Sequence, residues 1–188
     1  MRRAAFLDRD GVINRKATGH GYVTRWEEMH LLPDIAESIA LLNRAGFLVI
    51  VVSNQRCVAK GLITSSDLDS LHRRMCNELA AAGATIDGVF YCPHEKQPPC
   101  GCRKPAPGML LTAARIHQID LPASWMIGDA DIDVAAGKNA GCKTARLLRS
   151  NEIANGKADV IAPSLLNAIQ QILQRDTNST YSPKSMSS

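Results

Sequence analysis

Aromatic side chains are scarce: three Phe, three Tyr and two Trp make up 4% of 188 residues. A core in this chain must rest on Leu, Ile, Val, Ala and Met. The scarcity also argues against a nucleic-acid groove, which interleaves basic side chains with stacking rings. The rings are scattered and the net charge is only +4, so no nucleic-acid partner is expected. Long apolar runs are missing too, and none approaches the ~20 residues of a membrane span. The basic-then-apolar start, Met1 to Leu7, meets Asp8 before reaching the length of a secretory signal. The expectation is a cytoplasmic monomer with no membrane partner. No internal repeat is visible. A content of 45% hydrophobic and 21% charged residues excludes a disordered chain. The length suits one domain that buries a core without disulfide staples.

What is present alternates between short apolar runs and amphipathic stretches. That pattern predicts an α/β fold, a doubly wound, Rossmann-like parallel sheet with flanking helices. Strands are expected at Ala4–Leu7, Phe47–Val52, Ile86–Tyr91, Trp125–Ile127, Thr144–Leu148 and Val160–Ile161. Helices are expected over Asp34–Ala45, from Thr64 to Gly83, and over Gly108–Gln118, Asp133–Asn139 and Ser164–Leu173. The gaps after the first and third strands are too short for a cap domain. A single domain over 1–173 is expected, with a loop insertion at 92–107. Residues 174–188, rich in Ser, Thr, Asn and Lys, read as a flexible tail.

Acidic residues gather where strands end. Asp8 and Asp10 flank Arg9 after the first strand, and Gly11 lets the chain turn away. Asp129, Asp131 and Asp133 follow the strand that ends at Ile127. Carboxylates converging on one sheet edge repel one another, and hard oxygen donors of this kind suit Mg²⁺. Asp131 or Asp133 alone reads more simply as a helix cap. Two further segments add complementary groups: Ser53-Asn54-Gln55 after the second strand, and Arg103-Lys104 in the loop before a helix. Carboxylate, cation, hydroxyl and amide donors, and lysine are the parts of phosphoryl transfer to aspartate.

Cys92, His94, Cys100 and Cys102 form a second constellation. Three thiolates and an imidazole are the donor set of a closed, structural tetrahedral zinc. A disulfide between Cys100 and Cys102 would be strained, and a redox pair normally has two intervening residues. Cys57, Cys76 and Cys142 lack such company and read as incidental or buried cysteines.

The set Asp8-Arg9-Asp10-Gly11, Ser53-Asn54-Gln55, Lys104-Pro105 and Gly128-Asp129 with Asp133 resembles the four motifs of haloacid dehalogenase-like phosphatases. The resemblance is closest to the D-glycero-D-manno-heptose 1,7-bisphosphate 7-phosphatase family. It is carried by the strings from Phe6 to Asn14, Gly21 to Val23 and Cys102 to Met109, and covers the chain to about Leu173. It implies a Mg²⁺-dependent hydrolysis of the 7-phosphate in ADP- or GDP-heptose biosynthesis, through an aspartyl-phosphate. Asp8 would be the nucleophile and Asp10 the acid and base, with a raised pKa from its acidic surroundings. Mg²⁺ would be held by Asp8, the Asp10 backbone carbonyl and Asp129, and Zn²⁺ by the Cys₃His loop. Ser53, Asn54 and Lys104 would hold phosphoryl oxygens, with Asp133 orienting Lys104 or a water. Gly19, His20, Gly21, Tyr22, Gln55, Arg56 and Arg103 are the remaining expected substrate contacts.

Two positions depart from that family's usual pattern: Arg56-Cys57 replaces Ser-Gly, and Ala130 replaces Lys. Alternatives within the same chemistry are a histidinol-phosphate phosphatase and a 3′-phosphatase acting on DNA ends. A receiver domain would carry its acceptor Asp on a later strand, where this chain has Cys92. A phosphosugar-binding module without turnover would have no need to keep both Asp8 and Asp10.

Overall fold

The computed structural model describes residues 1–18, 21–148 and 158–180, with side chains described through residue 176. Six strands form one parallel sheet: β1 (Ala4–Leu7), β2 (Leu48–Asn54), β3 (Gly88–Cys92), β4 (Trp125–Gly128), β5 (Lys143–Leu147) and β6 (Val160–Ala162). Their order is β3-β2-β1-β4-β5-β6. The short β1 lies inside the sheet, paired with β2 through Leu7↔Val51 and with β4 through Leu7↔Ile127. Strands covered on both faces read as continuous apolar runs, which is why Leu48–Ser53 is buried throughout.

Alternate side chains serve opposite layers. Leu7, Val49, Val51 and Ile127 pack beneath α1 (Ile35–Arg44), α2 (Ser65–Ala81) and α5 (Leu165–Thr180). Phe6, Ile50, Val52 and Met126 pack beneath α3 (Gly108–His117) and α4 (Asp131–Ala140). Among the described residues, Phe6 and Trp125 are the only large aromatics buried to within 2%. Aliphatic side chains fill the rest, as the composition requires.

Several boundaries differ from expectation. β2 runs two residues further because Ser53 and Asn54 pair with Tyr91 and Cys92 of β3. α4 begins at Asp131 because the Asp133 side chain accepts from the Ala130 amide at 3.0 Å. The α2 start is as read: Thr64 Oγ1 accepts from the Asp67 amide at 3.1 Å. α5 continues to Thr180, so 174–180 is helical, and Asp176 pairs with Arg3 Nη1 at 2.6 Å. Residues 181–188 lie outside the described residues. Among the described residues no second domain interrupts the chain. The described residues of segment 8–34 hold a short 3₁₀ turn, Trp26–Glu28, and isolated bridges from Asn14 to Asp10 and Leu31, and 93–107 holds neither strand nor helix.

Candidate active site

Ligand-binding crevices in such sheets open at the carboxyl ends of the strands. Here β1, β2 and β4 end side by side. The Asp8 amide donates to Ile127 O at 3.0 Å, seating Asp8 at the β4 end. The chain then turns sharply, with Arg9 O accepting from the amides of Ile13 and Asn14 at 2.8 and 3.1 Å. Gly11 has φ +99, and a Cβ there would sit 2.1 Å from Asp129 Oδ2. Only glycine lets this turn lie flush against the second acidic cluster. Asp8, Asp129 and Asp133 present oxygens within 4.8 Å of one another.

Lys104 sits among them, fully buried. Its Nζ lies 2.9 Å from Asp8 Oδ1, 2.7 Å from Asp133 Oδ1 and 2.8 Å from Val52 O. Three ammonium protons meet three acceptors. Burial works against the charge, but Asp8 and Asp133 outweigh it and hold Lys104 above the ordinary lysine range. Burial also pushes Asp8 up to about 6, against the pull of Lys104 and with a push from Asp133. Converging carboxylate oxygens, even with lysine ammonium groups beside each of them, are the hard donor set that a divalent cation fits.

Asp10 differs from expectation. Its side chain turns away from the acidic cluster. Arg9 Nη2 donates to both its oxygens at 2.9 and 3.0 Å. Asn14 Nδ2 donates to Oδ1 at 2.9 Å and Gln55 Nε2 to Oδ2 at 2.8 Å. Burial alone would raise its pKa, but the Arg9 charge and these donors together hold Asp10 below the ordinary carboxylate range. The expected upward shift falls on Asp8 instead.

The Ser53-Asn54-Gln55 segment is also more internal than read. Asn54 grips the Lys104 backbone, accepting from its amide at 3.0 Å and donating to its carbonyl at 3.1 Å. Gln55 is 1% exposed and spans Asp10 and Ser53, donating to Ser53 Oγ at 2.7 Å. Gln55 is thus engaged inside the protein, whereas Asn54 also lines the cleft beside Arg103 and Lys104. Ser53 is equally buried, and it follows the Val52 carbonyl that accepts from Lys104 Nζ.

Other expected contacts lie further out. Arg56 pairs with Glu95 of the 92–107 loop and neighbours Tyr22. Arg103 Nη1 donates to His94 O at 3.2 Å. Lys60 stacks over the Tyr22 ring at 5.3 Å. Gly21 has φ +79 and leads into Tyr22, whereas Gly19 and His20 lie outside the described residues. Arg103 and Lys104 line one cleft of about 470 Å³ with Asn54, Lys96 and Ile132.

The soft-ligand cluster assembles as read. Cys92 Sγ lies 3.5 Å from Cys100 Sγ and 3.6 Å from His94 Nδ1. Cys102 Sγ lies 3.2 Å from that nitrogen and 3.4 Å from Cys100 Sγ. Tetrahedral bonds of ~2.3 Å set ligand atoms roughly 3.5–3.8 Å apart, so the four donors nearly match that frame. Burial, then Cys92 and Cys100, push the Cys102 thiol up to about 12. Three thiolates so close need a cation between them.

Three site residues escaped the sequence reading. Lys16 Nζ lies 2.7 Å from Asp129 Oδ2, and nothing in Arg15-Lys16 separates it from a solvated basic pair. Lys96 stands in the loop without a motif. Arg9 had a signal: a guanidinium between two aspartates is placed to clamp one of them.

Comparisons with known proteins agree with this geometry. A family profile described as HAD-hydrolase-like matches residues 101–168. The D-glycero-beta-D-manno-heptose-1,7-bisphosphate 7-phosphatase of Rhodopseudomonas palustris is 44% identical over 147 residues, spanning 74% of this chain and 80% of that one. Its counterpart from Vibrio cholerae is 35% identical over 176 residues, spanning 90% and 93%. The crystal structure of a D,D-heptose 1,7-bisphosphate phosphatase from B. bronchiseptica, complexed with magnesium and phosphate, superposes with a TM-score of 0.82 at 30% identity. It covers 92% of this chain and 99% of that one.

Proposed function

We propose that this chain, which belongs to the D-glycero-beta-D-manno-heptose-1,7-bisphosphate 7-phosphatase family, hydrolyses the 7-phosphate of that sugar bisphosphate. It is a phosphoric monoester hydrolase, and the relatives' names supply the substrate. The observation that carries the chemistry is Lys104 Nζ held 2.9 Å from Asp8 at the end of β1.

Asp8 attacks phosphorus in line. A bond forms between its carboxylate and phosphorus, and the bond from phosphorus to the sugar oxygen breaks. Asp10 gives that oxygen a proton, then takes one from the water that cleaves the aspartyl-phosphate. To do so, Asp10 first takes up a proton from solvent, against the Arg9 charge that favours its ionised form, and loosens one of the bonds that saturate its oxygens. Ser53 and Lys104 hold the phosphoryl oxygens as charge develops. Asp8, Asp129 and the Asp10 carbonyl would hold Mg²⁺, with Asp133 holding Lys104 beside them. When bound, that cation supplies positive charge between two anions that would otherwise repel. Cys92, His94, Cys100 and Cys102 would hold Zn²⁺, fixing the loop that carries Arg103 and Lys104.

Substrate choice falls to the loops around an open cleft. Arg103 and Lys96 line it beside Lys104 and are suited to the distal phosphate. Arg56, already paired with Glu95, must exchange that partner to join them. The test compares kcat/KM for the bisphosphate, the heptose 7-monophosphate and histidinol phosphate. The bisphosphate should lead by at least about tenfold, or ~1.4 kcal/mol. Equal rates on the two heptoses, or a preference for histidinol phosphate, would refute the assignment.

A further inference from the structure

Arg9 is completely buried, and its guanidinium cannot shed its proton. One edge grips Asp10: Nε lies 3.2 Å from Oδ1, and Nη2 reaches both oxygens. The other edge points to α2, where Nη1 lies 3.0 Å from His72 Nε2. Arginine has donors only, so His72 Nε2 is the acceptor and the ring proton sits on Nδ1. His72 is 3% exposed, and its Nδ1 has no hydrogen-bond partner among the described residues. A buried ring with an unsatisfied N–H is a costly way to fill space, and a leucine would fill it more cheaply. What the imidazole offers that leucine cannot is an acceptor for Arg9. Burial, reinforced by the Arg9 charge, lowers the His72 pKa to about 3, so the ring stays a neutral acceptor.

We propose that His72 is a positioning residue for Asp10, acting through Arg9: it anchors the far edge of the guanidinium so that the near edge presents the carboxyl to the leaving oxygen. With no acceptor at Nε2, Nη1 would seek another, and the guanidinium would rotate and carry Asp10 with it. Asn14 and Gln55 alone would then fix the carboxyl, one donor on each oxygen. This inference rests on Asp10 being the acid and base.

The test uses two substrates that differ in their need for an acid. A sugar phosphate leaves as an alkoxide and must be protonated. p-Nitrophenyl phosphate leaves as a stable phenolate and need not be. For His72→Leu, kcat/KM should fall at least about tenfold on the sugar phosphate and less than about threefold on p-nitrophenyl phosphate. His72→Gln, whose Oε1 can accept near the Nε2 position, should recover the sugar phosphate to within about threefold of wild type. His72→Asn, whose acceptor is one bond too short, should lose as leucine does, and it serves if His72→Leu does not fold. Equal losses on both substrates, or a glutamine variant no better than asparagine, would overturn the proposal. Asp10→Asn on the same pair tests the underlying role. If its loss is selective and that of the histidine variants is not, only the positioning claim falls. If its loss is equal on both substrates, the Asp10 assignment falls and takes this one with it.

Discussion

Asn54 and Lys104 exchange two hydrogen bonds, side chain to backbone, at 3.0 and 3.1 Å. This fixes the lysine from its main chain while its Nζ is fixed by three acceptors. Asn54, expected to contact phosphate, thus also clamps the end of β2 to the loop that bears Lys104. Asn54→Ala should leave a buried amide unsatisfied at ~1–3 kcal/mol. The same change should lower kcat/KM by roughly 10–100-fold through a displaced Lys104. Bound zinc should not change. Phosphate release and elemental analysis check both, and activity within about threefold of wild type would remove the clamp.

Asp8→Asn should abolish turnover with the fold retained, because Asp8 is the carboxylate that β1 sets beside Lys104 Nζ. Asp10→Asn should slow the reaction by roughly 10²–10⁴-fold, the usual weight of a general acid and base. Phosphate release beside far-ultraviolet circular dichroism is the measurement. An Asp8→Asn enzyme within about tenfold of wild type would exclude Asp8 as nucleophile.

Asp8 also predicts a pH-dependent cost. Its folded pKa of about 6 stands above the ordinary 3.8. The stability this gives is full below pH 3.8 and is lost as the pH rises through 6. Asn does not titrate, so the stability of Asp8→Asn relative to wild type should grow between pH 4 and 7, by up to about 3 kcal/mol. Denaturant unfolding without added Mg²⁺ at both pH values measures it. A difference that stays flat, or runs the other way, is the contrary result.

The purified protein should carry one zinc per chain, retained through dialysis. Cys102→Ser should lose the metal and reduce activity, because the next two residues are Arg103 and Lys104. Elemental analysis reads the first effect and phosphate release the second. A full zinc complement with the Cys102→Ser variant would show that Cys102 is not a ligand.

Much of this was legible in the sequence because it is carried by local pattern. The strand that ends at Asp8, the run Leu48–Val52 and the Cys₃His spacing announce themselves over a few residues. Boundaries slipped where distant chain decided them. β2 gained Ser53 and Asn54 from pairing with β3, and α5 gained its last turns where Arg3 of the N-terminal segment meets Asp176. Within the site, the partners of individual side chains were not legible. Asn54, Gln55 and Asp10 are all polar groups at strand ends, yet Asn54 bonds to distant Lys104, and Gln55 and Asp10 bond to each other across 45 residues as well as to local Ser53 and Arg9. Lys16 and His72 were silent because a loop lysine and a helix histidine have no local signature. Only the fold brings them to Asp129 and Arg9.

The sheet divides labour between two kinds of support. Asp8, Ser53 and Asp129 stand at or beside the ends of inner strands, while Arg56, Glu95, Lys96 and Arg103 ride on connections between them. A strand end cannot shift without disturbing two neighbours and the packing above and below. A connecting loop can change length or charge while the strands stay put. Such a scaffold is free to acquire new substrates by exchanging its loops, and its lineage can wander widely among phosphate esters while the bond-breaking step stays the same.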